Sequence, residues 1–469
     1  MGRWAKVVVL ALLGAAFGVD AAVPSPAALK PCAVPGFEGE ARCGRIQVPE
    51  RRGGDAGRRI ELNVMLLPAT GPAERKARDA ITFLAGGGVM PATRYAPFMA
   101  RVLAPLRETR DIVLVDQRGT GESNPLACKL PSPIFERDRY LDPKRHADAV
   151  AGCARELSAR ADLTAYNTVE AMHDLDEVRA ALGYEQWSLW GVSYGTKAAR
   201  VYLRQYPKRV RVIALYGVVP IGDSMWTDLP ANERRALAGI LDRCREDQGC
   251  NTRHPGLADK LAALQVRLAE KPHRFKVGTA DVAIEGIIDD RALLQLLGAR
   301  LSSTRDSARI PALIDQLHAG NYAALSEGLD DRPPPVPPGV YLSIACGEER
   351  PLWQPADRER DGDWLAHERE SCAVWPRARH DASFWKPVAS SVPVLLLAGD
   401  EDHVTPTVYA EQAAATLSGA RLLRIPNAGH GDVNPCIGGL IVQAIQSTNL
   451  QSLDTACIKT LPGFAFAEE

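Results

Sequence analysis

The chain has ten cysteines but no C-x-x-C pair. That absence argues against zinc binding and dithiol redox work. There is no long basic run, and the formal net charge is −1, so nothing suggests nucleic acid. The glycines of Ala85-Gly86-Gly87-Gly88 are followed by Met90-Pro91 and not by G-K-[ST], which removes a phosphate-binding loop from consideration. Beyond the first residues no apolar stretch approaches a bilayer span. No internal repeat is evident.

The chain does have 469 residues with 46% hydrophobic content, enough for a large core and an extra domain. Arg3 and Lys6 precede an apolar run from Val7 to Phe17, and Val19-Asp20-Ala21 offers small residues for cleavage. Residues 1–21 therefore read as a signal peptide, with an N-terminal membrane anchor as the alternative. An even cysteine count fits five bridges in an exported protein, periplasmic or secreted. Pairing along the chain gives 32–43, 128–153, 244–250, 346–372 and 436–457, one connectivity among those the count allows.

Gly191-Val192-Ser193-Tyr194-Gly195 is a G-x-S-x-G element. The apolar run Trp187-Ser188-Leu189-Trp190 before it suits a buried strand, and Thr196 to Leu203 after it has helical spacing. In that setting the serine sits on a tight strand-to-helix turn, with glycines where a Cβ would clash. Ser193 is the candidate nucleophile. A Gly-rich turn with a solvated serine is the plainer reading.

A carboxylate and a histidine come later in the chain, in the order such a serine needs. Val392 to Ala398 reads as a buried strand ending in Gly399-Asp400-Glu401-Asp402-His403-Val404-Thr405-Pro406. Asp402 fits a G-x-x-D-x-x-x-P spacing, whereas Asp400 and Glu401 read as turn and surface residues. A metal site over Asp400 to His403 would require four consecutive residues to converge on one ion. Arg421 to Pro426 reads as another strand and runs into Asn427-Ala428-Gly429-His430-Gly431. His430 would take the serine proton, and Asp402 would fix the imidazole tautomer. For the oxyanion, the strand-like Ala80 to Leu84 breaks at the glycines. The N–H of Gly87 and that of Tyr194 are the candidate donors.

The spacing predicts an α/β fold with a mainly parallel sheet. Residues 22–220 form the first part of the core and residues 388–469 the last. Between them, residues 221–387 read as a mostly helical cap, containing the stiff stretch Arg332 to Gly339.

Asp116-Gln117-Arg118-Gly119-Thr120-Gly121-Glu122-Ser123, together with Gly191 to Gly195, resembles the proline iminopeptidase and tripeptidyl aminopeptidase group of α/β-hydrolases. Asp174 to Tyr184, Gly399 to Pro406 and Gly429-His430-Gly431 are similar as well. The resemblance spans roughly residues 30–220 and 340–460. It implies an α/β-hydrolase fold with an inserted cap. It also implies an exported serine exopeptidase that needs no metal or other cofactor and acts on peptides with a free N-terminus. The group usually carries His-Gly-Gly-Pro-Gly in the oxyanion loop. This chain has Ala85-Gly86-Gly87-Gly88-Val89, with Gly88 at the proline position. Cys346-Gly347-Glu348-Glu349 resembles the C-x-E segment after the cap. Glu348 is thus the first candidate for binding the substrate amine and Glu349 the second, against a solvated pair beside a disulfide. Two other classes remain open: an esterase or lipase on the same fold, and a binding protein with a decayed site.

Overall fold

The computed structural model describes residues 29–53, 57–87, 89–279, 282–326, 336–354 and 367–468. The proposed signal peptide (1–21), Gly88 and part of the proline-rich stretch lie outside them.

The core is a nine-stranded sheet. In chain order its strands are β1 (Lys30–Pro31), β2 (Arg42–Pro49), β3 (Arg59–Leu67), β4 (Asp79–Leu84), β5 (Ile112–Val115), β6 (Gln186–Val192), β7 (Val210–Tyr216), then, after the cap block, β10 (Val394–Gly399) and β11 (Ala420–Ile425). The spatial order is β1-β2-β3-β5-β4-β6-β7-β10-β11. The first four strands in that order pair antiparallel, and from β5 onward every pairing is parallel.

The inner parallel strands are largely apolar because both their faces are covered. Alternation assigns each side chain to one layer. Trp187 and Leu189 of β6 enter one core with Ile213, Leu215, Val394 and Leu396. Trp190 enters the other with Val212, Ala214, Leu395 and Leu397. Helices Thr168–Ala181 and Tyr194–Gln205 pack on the first side, and Ala96–Val102 and Pro435–Ser447 on the second. Asn167 caps the first of these, accepting from Glu170 N.

Between β7 and β10 the chain leaves the sheet. Helices Met225–Glu246, Leu257–Glu270, Asp290–Arg300 and Ile310–His318 share a separate core around Ile240, Leu264, Leu293 and Ile314. The block also holds an antiparallel pair, β8 (His273–Thr279) with β9 (Val282–Ile288). Lys276 stands opposite Glu285 in its register, and Glu285 pairs diagonally with Arg274 at 3.2 Å, a favourable cross-strand charge pairing.

All ten cysteines form disulfides, Cys32–Cys43, Cys128–Cys153, Cys244–Cys250, Cys346–Cys372 and Cys436–Cys457. Among the described residues no helix is long and apolar enough to cross a membrane.

Candidate active site

Ser193 follows β6 directly and is the N-cap of helix Tyr194–Gln205. Its backbone has φ 53° and ψ −124°, a sparsely populated region that a side chain adopts only when its surroundings impose it. The surroundings do so through contact. A Cβ on Gly195 would fall 1.8 Å from the Leu84 carbonyl oxygen, and one on Gly191 would fall 2.6 Å from the Gly195 oxygen. The end of β4 thus lies flush against the turn. The Ser193 N–H donates to Tyr216 O at 3.0 Å, and Thr196 N and Oγ1 close on Ser193 O at 2.8 and 2.7 Å.

The glycine loop after β4 lies on the same turn. A Cβ on Gly86 would come within 2.7 Å of Ser193 Cβ. Gly87, at φ +66°, lines the cavity that contains Ser193. As the first helical residue, Tyr194 has an N–H with no intrahelical acceptor. Val89 is buried at φ 84°, a strained conformation for a β-branched residue.

Asp402 and His430 come from the loops after β10 and β11. His430 Nδ1 lies 2.9 and 3.1 Å from the two Asp402 oxygens. Asp402 also accepts from Val404 N at 2.9 Å, Thr405 N at 2.7 Å and Thr405 Oγ1 at 2.6 Å. Burial alone would raise its carboxyl, but His430 and the Thr405 donors outweigh it and hold the group below the usual carboxylate range. The other members of this loop diverge. Asp400 is exposed, Glu401 pairs with Arg243 at 2.7 Å, and His403 is buried, its Nδ1 without a hydrogen-bond partner among the described residues. The His430 loop is clamped on both flanks. Gly429 N donates to Asp432 at 2.8 Å, Tyr216 OH donates to Gly429 O, and Gly431 N donates to Ser302 O at 2.7 Å. Asp432 also accepts from Thr304 N and Oγ1, so the cap block touches the histidine loop directly.

Ser193, Tyr194, Gly87 and His430 line one cavity of about 250 Å³ with Lys197 and Glu349. Its remaining wall is apolar, including Val219, Met225 and Ile344. Glu348 and Glu349 arrive on a π-helical turn, Ala345–Glu349. Such a turn carries an extra residue and re-aims its side chains. Glu348 is fully buried, accepts from Thr168 N at 2.7 Å and Thr168 Oγ1 at 2.9 Å, and lies 3.1 Å from Lys197 Nζ. Both its oxygens are therefore engaged, and it is not in the cavity wall. Glu349 holds Lys197 through Oε1 at 2.7 Å, while its buried Oε2 has no partner among the described residues. The second of the two sequence candidates is the one that faces the cavity.

Lys197 in the cavity wall and Thr405 beside Asp402 and His430 belong to the candidate site and are absent from the sequence reading. Lys197 lies four residues past Ser193, on the same helix face, and Thr405 lies three past Asp402 in a turn spacing. Those spacings are the signals that could have flagged them. Conversely, the D-Q-R-G element is framework. Arg118 binds Asp174 at 2.6 and 2.7 Å and Ala165 O at 2.8 Å. Asp116 accepts from Thr93 and Asn63, and a Cβ on Gly121 would strike it at 2.2 Å.

Residues 84–433 match the alpha/beta hydrolase fold family. The chain is 25% identical over 460 residues to a tripeptidyl aminopeptidase of Streptomyces lividans, covering 89% of this chain and 83% of that protein. It is 26% identical over 245 residues to the serine protease Hip1 of Mycobacterium tuberculosis, 49% of this chain and 45% of the other. It is 30% identical over 146 residues to a proline iminopeptidase of Aeromonas sobria, 31% of this chain and 29% of the other.

Proposed function

This chain is a serine hydrolase of the alpha/beta hydrolase fold family, and within it we propose an exported aminopeptidase that releases N-terminal residues or short peptides through an acyl-enzyme. Ser193 Oγ attacks the scissile carbonyl carbon while His430 Nε2 takes its proton. Asp402 accepts from Nδ1–H and stabilises the imidazolium. The N–H groups of Tyr194 and Gly87 receive the oxyanion. The C–N bond then breaks, and the imidazolium gives its proton to the leaving amine. A water molecule, deprotonated by the same imidazole, attacks the acyl carbon and frees Ser193.

The observation that carries the peptidase reading is Glu349 Oε2. It is a buried carboxylate oxygen without a donor among the described residues, on a side chain that lines the Ser193 cavity. An unpaired buried acceptor is costly. Glu348, Glu349 and Lys197 together carry one net negative charge, and a substrate α-ammonium would both neutralise it and supply the missing donor. Glu348 holds Lys197 and the Thr168 backbone beside it.

The test is a double-mutant cycle with one partner changed on the protein and the other blocked on the peptide. Glu349→Gln should lower kcat/KM for free-amine peptides by about 2–5 kcal/mol. N-acetylated peptides should already be poor substrates and change little. Equal cleavage of free and acetylated peptides by the wild type rejects this reading. It would favour the second one, an esterase, for which the apolar cavity wall suits an acyl chain. Export is supported by the five disulfides, which persist in oxidising compartments.

A further inference from the structure

Helix Met225–Glu246 runs past two cavities. Met225 and Trp226 line the one that holds Ser193 and His430. Leu229, Pro230, Glu233 and Leu237 line a second cavity of about 420 Å³, between the cap block and the segment of Arg137, Tyr140 and Leu141. From Trp226 the four helix positions fall at i+3, i+4, i+7 and i+11, so all share one helix face. Leu294 and Leu301 belong to the same cavity's wall. Within the wall of the catalytic cavity Trp226 meets Tyr341 edge to face at 6.2 Å. Glu368 hydrogen-bonds Tyr341 and also acts on Tyr140, which lines the second cavity. Neither the acyl transfer nor the amine anchor uses this second space.

We infer that the second cavity is the subsite for the peptide segment on the leaving-group side of the scissile bond, and that it selects apolar side chains there. This rests on the aminopeptidase reading. If the acyl part ends at Glu349, any substrate length that extends along the helix belongs to the leaving part. Eleven helical residues from Trp226 to Leu237 span about 16 Å, roughly five residues of extended peptide. The leucine-rich wall rewards apolar side chains in proportion to the area they bury. Glu233 adds a polar point. Burial pushes its carboxyl up to about 7 against the pull of Arg234, and Gly298 makes room for it, since a Cβ there would lie 3.0 Å from the carboxyl carbon. A carboxyl poised at that value offers a peptide backbone both a donor and an acceptor.

The experiment uses the full chain and three substrate sets with one N-terminal residue. These are an aminoacyl arylamide, peptides extended with alanines, and peptides with leucines at the second to fourth positions after the scissile bond. The leucine set should exceed the alanine set in kcat/KM by about tenfold or more. Leu237→Trp and, separately, Leu294→Trp fill the cavity. Each should cut that advantage to about twofold or less while arylamide turnover stays within about twofold. No leucine preference in the wild type overturns the inference, as does a preference that survives both tryptophans. A variant that also loses arylamide turnover is damaged in its fold, and the wild-type series with the other variant then decides. Failure of the aminopeptidase reading shows elsewhere, as equal hydrolysis of the free and acetylated arylamide.

Discussion

Lys197 Nζ lies 2.7 Å from Glu349 Oε1 and 3.1 Å from Glu348 Oε2, with all three side chains buried. Burial alone would lower the lysine, but the two carboxylates outweigh it and hold it above its ordinary value. The lysine is thus a fixed counter-charge on the nucleophile helix.

Removing it leaves two buried carboxylates without compensation. Lys197→Met should therefore cost about 3–5 kcal/mol of stability. Adding Glu349→Gln should recover much of that loss, because the two changes are coupled. Urea unfolding of the single and double variants measures it. A Lys197→Met protein as stable as the wild type would show that the cluster carries no such load.

Ser193→Ala should fold normally and lose turnover by a factor on the order of 10⁴–10⁶, since the covalent route is gone. Burst kinetics with an activated ester and labelling by a fluorophosphonate should vanish together. Near-normal turnover would sink the serine mechanism.

Asp402→Asn should lower kcat by about 10²–10⁴ through loss of the correct imidazole tautomer. Asp400→Asn should be mild, because that side chain is exposed and makes no hydrogen bond to His430. The reverse ranking in steady-state assays would exchange their roles.

Stability should fall as pH drops from about 6.5 towards 4. Burial, helped by His367, lowers His146 to about 4. Burial likewise lowers His403 to about 4, with Asp402 opposing and His430 assisting. In the unfolded chain both imidazoles take up protons near 6.5. In that window the unfolded state binds more protons, so protonation favours unfolding. Each contributes at most ~1.4 kcal/mol per pH unit. His146→Gln should flatten the slope seen in urea titrations at pH 7, 6 and 5, and an unchanged slope would remove His146 from this account.

The parallel core is legible in the sequence because its strands are buried on both faces, so β6, β7 and β10 stand out as continuous apolar runs between glycine-rich turns. Ser193 and Asp402 can be picked out because each follows such a run within a few residues, and His430 because it sits between two glycines just after the shorter strand β11. The hairpin β8–β9 escapes a sequence reading, since seven-residue strands within helical text give a weak local signal. The choice between Glu348 and Glu349 is beyond the sequence for another reason. It depends on a π-helical turn and on Lys197, 152 residues from Glu349. Adjacent glutamates look alike until the backbone decides which one turns towards the cavity.

β7 and β10 are neighbours in the sheet, with Tyr216 opposite Leu397, yet the whole cap block lies between them in the chain. The block therefore connects two neighbouring strands of the scaffold, leaving after the end of one and returning before the start of the next. A segment attached in this way can be lengthened, shortened or exchanged during evolution while the strands on either side keep their register. On the subsite inferred above, selectivity beyond the scissile bond would then change as a module, while the sheet that carries Ser193 stays as it is.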